Sequence, residues 1–120
     1  MKVALIAIAG AVGALSRYWL GVAVGVRSFP WTTVAINLAG SFALGVLLRL
    51  SDLRDWPDTT TVPLAVGFLG AFTTFSTFSY ETHTLLRSDR AGAALGYVLL
   101  SVLGGVLAAA TGYASAKALA

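Results

Sequence analysis

The chain has 120 residues, 58% of them hydrophobic and only 11% charged, with a mean hydropathy of +0.84. A soluble domain carries about 25% charged residues, so this composition excludes a water-soluble fold and describes an integral membrane protein. Eight basic and five acidic residues give a formal charge of +3, but they are scattered, which leaves nucleic acid no basic patch to dock on; the lack of cysteine excludes disulfides and thiolate metal sites.

At about 20 apolar residues per span, the length accommodates an all-α membrane protein of four transmembrane helices, one domain over residues 1–120. The first span is expected over 3–26. Its opening, Met1 to Ala11, looks like a secretion signal with one basic residue, yet the apolar run continues to Arg17 and resumes to Val26. A signal's apolar core ends after about 7–15 residues, so the segment reads as a span. Arg17 lies inside it, either snorkelling to the interface or standing as a cation at the mouth of an anion path. Gly21 and Gly25 form a small-xxx-small pair that predicts a packing face, with Gly10 and Gly13 adding smallness nearer the start.

After the connection Arg27-Ser28-Phe29-Pro30-Trp31-Thr32, where Trp31 suits the aromatic belt, the second span is expected over 33–50. Asn37 sits within it and Ser41 one turn further on the same face. An intramembrane Asn serves either as glue between helices or, through two N–H donors and one acceptor, as a partner for a dehydrating anion. Arg49 to Val62 is the most polar stretch and reads as the longest loop.

The third span, expected over 63–86, holds the most unusual stretch of the chain, Gly67-Phe68-Leu69-Gly70-Ala71-Phe72-Thr73-Thr74-Phe75-Ser76-Thr77-Phe78-Ser79-Tyr80-Glu81. In hydrocarbon every polar group must find an internal partner, and irregular backbone persists only when buried in protein or facing water. Five hydroxyls (Thr73, Thr74, Ser76, Thr77 and Ser79) therefore point to something polar that passes or binds. The two glycines with adjacent hydroxyls predict a break near the centre of this helix. Glu81 and His83 follow, but no nucleophile elbow accompanies them, so a hydrolase has no support. Arg87, Asp89 and Arg90 make the last turn. The fourth span, over 91–116, carries a small-residue stripe at Gly104, Ala108, Gly112 and Ala116, and places Tyr97 and Ser101 on one face.

Basic residues are nearly balanced across the membrane: Lys2, Arg49, Arg54 and Lys117 lie on one side, Arg27, Arg87 and Arg90 on the other. The positive-inside rule then sets almost no preference, and insertion both ways up makes an antiparallel homodimer available.

The stretch from Gly67 to Ser79 closely resembles the signature of the Fluc/CrcB fluoride channels. Gly10 through Ser16-Arg17-Tyr18, and Trp31-Thr32-Thr33 through Asn37-Leu38-Ala39-Gly40-Ser41-Phe42, are similar to the family's first and second helices. The resemblance implies a cell-membrane subunit of four helices that pairs as an antiparallel, dual-topology homodimer with two pores and passively exports fluoride. It also implies a broken third helix whose Gly70 and Thr73 carbonyls, from both subunits, hold a structural sodium ion. Phe75 and Phe78 take the place of the pore phenylalanines, Asn37 of the pore asparagine, Tyr97 and Ser101 of the fourth-helix polar pair, and Arg17 of the first-helix arginine. Ala71 stands where many members have a second glycine. The chemistry agrees: Asn37, Thr77, Tyr97 and Ser101 offer N–H and O–H donors to a strongly hydrated anion. The electropositive edges of Phe75 and Phe78 attract it without a fixed charge that would trap it. The rival reading is a small multidrug-type, proton-coupled cation exporter. That class carries an acid in its first helix, where this chain has Arg17.

Overall fold

The computed structural model describes residues 1–120, and four helical stretches in it are long and apolar enough to cross a bilayer: Lys2–Val24, Trp31–Leu53, Asp58–Arg87 and Ala91–Leu119. No strand is present. The first is α1 and the second α2; at about 1.5 Å per residue, their 23 residues reach about 35 Å, enough for a hydrocarbon layer of about 30 Å. Helix 1 stops at Val24 because Gly25 turns to φ 75°, a conformation that glycine adopts without strain. The second and third stretches run past the apolar segments, to Leu53 and from Asp58, so the loop expected over Arg49 to Val62 shortens to residues 54–57, since backbone hydrogen bonding continues into its polar residues.

The third stretch is composite. A short α3 (Asp58–Val62) leads into a π-helical segment (Pro63–Leu69), then α4 (Gly70–Phe72) and α5 (Phe75–Arg87). Pro63 begins the wider turn; it brings no N–H and its ring crowds the carbonyl one turn back. Between α4 and α5 the backbone is extended, with φ −80° and ψ 159° at Thr73 and φ −150° and ψ 118° at Thr74. The glycines do not mark this interruption. Gly67 lies inside the π-helical segment and Gly70 is helical at φ −62°, ψ −35°. Their smallness serves contact: a Cβ at Gly67 would stand 2.8 Å from the Ile6 carbonyl oxygen and 3.0 Å from Ala9 Cβ.

The last stretch is α6 (Ala91–Ser115), closed by a 3₁₀ turn over Ala116–Leu119. Two tight pairs organise the four spans. Helix α1 lies on the π-helical segment, where a Cβ at Gly13 would collide with the Phe68 carbonyl. Helix α2 lies on α6, where a Cβ at Gly45 would meet the Ala109 carbonyl and one at Gly112 the Phe42 carbonyl. Small residues let backbones approach where lipid supplies no hydrophobic drive between helices. The stripe through Gly104 and Gly112 is thus a seam with α2. The pair Gly21 and Gly25 is not: nothing in the chain lies within 4 Å of a Cβ at either, and both border a cleft instead.

Side-chain packing is thin, with 14 of 120 residues buried, while Val3, Ile8, Val66, Leu95 and Val106 lie mostly open. An apolar exterior of this kind faces lipid. One buried cluster, Val34, Leu85, Ala94 and Tyr97 with Phe29, Leu38 and Phe78 against it, joins α2, α5 and α6. The ends are tied separately: Arg54 donates to the Leu119 carbonyl at one, Arg90 to the Ser28 carbonyl at the other.

Candidate functional site

An interrupted helix leaves amides and carbonyls unpaired, and three other groups take them up here. In an unbroken helix the Thr74 N–H would reach the Gly70 carbonyl. It donates instead to Asn37 Oδ1 at 2.8 Å, and Asn37 Nδ2 donates back to the Thr74 carbonyl at 3.0 Å. Arg17 Nε donates to the Ala71 carbonyl at 3.2 Å, placing a cation at the negative end of the upstream helical segment. Arg17 therefore neither snorkels out nor stands free. Downstream, Thr74 Oγ1 caps α5 by accepting the Thr77 N–H at 3.2 Å and donates to Thr77 Oγ1 at 3.0 Å.

This geometry accounts for much of the hydroxyl density. Thr73 Oγ1 donates to the Leu69 carbonyl at 2.9 Å and Ser79 Oγ to the Phe75 carbonyl at 3.0 Å, bonds a helix accepts locally. The Thr73 and Ser79 hydroxyls are thus engaged within their own helical turns.

Two cavities flank the interruption. The larger, about 540 Å³, is bordered by Arg17, Arg27, Thr33, Thr77 and Glu81 among others. The smaller, about 300 Å³, is bordered by Asn37, Gly70, Thr73, Phe75, Phe78 and Ser101. Thr74 alone borders both. Ser101 Oγ is buried without a hydrogen-bond partner, a donor held ready on the wall of the smaller cavity. Phe75, which borders that cavity, is 79% exposed. The predicted residues thus divide: Asn37, Gly70, Thr73, Phe75, Phe78 and Ser101 meet in one cavity, while Arg17 and Thr77 face the other.

Tyr97 borders neither. It is fully buried, with its ring edge-on to Phe29 at 5.5 Å and to Phe78 at 5.1 Å, and its hydroxyl donates to Glu81 Oε1 at 3.0 Å. Sequence reasoning assigned no role to Glu81 and none to Thr74 beyond its place among the five hydroxyls. Their signal was spacing: Thr74, Thr77, Glu81 and Thr84 recur at three and four residues, and all four line the larger cavity. No group of three His, Cys, Asp or Glu is placed to hold a metal. Neutral donors, aromatic edges and one half-buried arginine suit the passage of a small anion better than chemistry upon it.

Residues 4–113 match the family described as CrcB-like protein, Camphor Resistance (CrcB). The chain is 48% identical over 107 residues to a fluoride-specific ion channel FluC of Leptospira interrogans, covering 85% of this chain and 84% of the relative. It is also 48% identical over 121 residues to the FluC of Magnetococcus marinus (93% and 94% covered) and 46% identical over 112 residues to that of Thermus thermophilus (91% and 88% covered).

Proposed function

The chain belongs to the CrcB-like family, and from that premise we propose that it is a fluoride-selective passive channel, a multi-pass protein of the cell membrane that exports fluoride and performs no enzymatic step. Near full-length similarity to proteins named as fluoride-specific channels carries this reading. The exporter alternative has nothing to rest on, since α1 contains no acid.

In this reading the ion passes along the smaller cavity. Ser101 Oγ, unpartnered in its wall, and the Asn37 N–H not used by Thr74 replace water's hydrogen bonds. The edges of Phe75 and Phe78 add positive potential, and Thr77 and Arg17 serve the path on the side of the larger cavity. Tyr97 acts from behind, buttressing Phe78 and holding Glu81. A second, antiparallel copy would cover exposed Phe75 and close the open side of the cavity, giving two pores per dimer.

The interruption also suits a structural sodium ion. Backbone carbonyls are fitting ligands for a hard cation, and the Gly70 carbonyl is relieved of its helical partner because the Thr74 N–H is taken by Asn37. Gly70 and Thr73 carbonyls from two subunits would hold the ion, which supplies a fixed positive charge beside the anion path.

The test is efflux from liposomes loaded with fluoride or with chloride, a potassium ionophore dissipating the voltage. Rapid fluoride loss with chloride retained is the expected outcome; retention of both anions would overturn the reading.

A further inference from the structure

Asn37 spends one of its two N–H donors and its carbonyl oxygen on backbone. Its carboxamide and the Thr74 peptide form a closed ring of two bonds, at 2.8 and 3.0 Å, across 37 positions of sequence. Thr74 is also the one residue common to the walls of both cavities. Extended backbone at that point has no helical or sheet partner of its own, so without Asn37 a peptide N–H and C=O would stand unpaired in the membrane interior. Beside it, the Thr74 hydroxyl is committed to the Thr77 N–H and hydroxyl. Both the main chain and the side chain of the dividing residue are therefore tethered.

We infer that Asn37 is a positioning residue: through its ring with the Thr74 peptide it holds Thr74 as the divider between the two cavities, leaving one Nδ2 hydrogen for a ligand. The hydrogen-bonding role stands on the geometry alone; its consequence for ion passage rests on the channel reading. A side chain serving solely as an ion donor would leave the Thr74 amide indifferent to its removal. A positioning side chain would not.

The experiment follows amide hydrogen exchange at Thr74 by NMR on threonine-¹⁵N-labelled protein in lipid nanodiscs, alongside fluoride efflux from liposomes. Asn37→Ala is expected to speed Thr74 exchange about tenfold, as loss of a buried hydrogen bond does, and to slow efflux at least as much. Ser101→Ala is expected to slow efflux while Thr74 exchange stays at the wild-type rate. Asn37→Leu, which keeps the side-chain volume and removes both bonds, is expected to speed Thr74 exchange in the same way; this variant carries the test if Asn37→Ala does not assemble. Wild-type exchange at Thr74 in either variant would overturn the inference. Absence of fluoride efflux from the wild-type protein would sink the channel reading instead and leave the exchange comparison standing.

Discussion

Ser101 and Tyr97 lie one helical turn apart on α6, and their hydroxyls have opposite circumstances. The Tyr97 hydroxyl donates a hydrogen bond to Glu81 Oε1 at 3.0 Å from a fully buried position, whereas Ser101 Oγ is buried with no partner at all. A hydrogen bond to a charged group contributes about 1.5–3 kcal/mol, but a buried hydroxyl without a partner carries only its desolvation penalty. Tyr97→Phe should therefore lower unfolding stability in detergent by about 2 kcal/mol, because Glu81 loses its donor. Ser101→Ala should not lower stability, and should raise it by up to about 1 kcal/mol because an unpaired buried hydroxyl is removed, while fluoride efflux falls several-fold. Equal stability losses for the two would refute the contrast. The sequence showed both residues on one face but not this difference, since whether a hydroxyl is satisfied depends on what α5 presents to it.

Helix contacts are set by glycines whose missing Cβ admits a neighbouring backbone. Gly112 against the Phe42 carbonyl and Gly13 against the Phe68 carbonyl are among the close backbone approaches that hold α6 to α2 and α1 to the π-helical segment. Gly112→Ala must push two helices apart and should cost about 2 kcal/mol or more, read as a lower thermal unfolding midpoint. Gly92→Ala, with nothing within 4 Å of the added carbon, should leave the midpoint unchanged or raise it slightly through helix propensity. A stripe of small residues in the sequence predicts that some helix comes close. It does not say which stripe does: Gly104 and Gly112 found a partner within the chain, and Gly21 and Gly25 did not.

The molecule as a whole presents mostly apolar side chains outward and balances its basic residues between two ends, with Lys2, Arg49, Arg54 and Lys117 opposed to Arg27, Arg87 and Arg90. Orientation follows the lysine and arginine bias of short flanking segments, so a near tie predicts both orientations. Reporter fusions at the C-terminus should then be active on both sides of the membrane. Replacing Lys2 and Lys117 by Gln and Ser88 by Arg tilts the balance toward the Arg27 end and should leave one reporter active. If the working unit is antiparallel, that variant should also lose fluoride resistance and regain it when co-expressed with an oppositely biased copy. Resistance in a uniformly oriented population would count against antiparallel pairing.

By itself the sequence determined the class of the protein. Its hydropathy and length specify helices that cross a membrane, because a regular helix pairs nearly all of its own backbone and needs no partner to do so. Its third-span stretch marks where polar groups concentrate, because residue identity alone shows hydroxyls in an apolar setting. Only the tertiary structure decided where regular backbone stops, at Thr73 and Thr74 rather than at the glycines, because an interruption is stable only where Asn37 and Arg17 from other helices can pair what it exposes. It likewise decided that Tyr97 is buried while Ser101 faces a cavity, since a one-turn offset along α6 carries one residue into the cluster with Phe29 and Phe78 and the other past its edge.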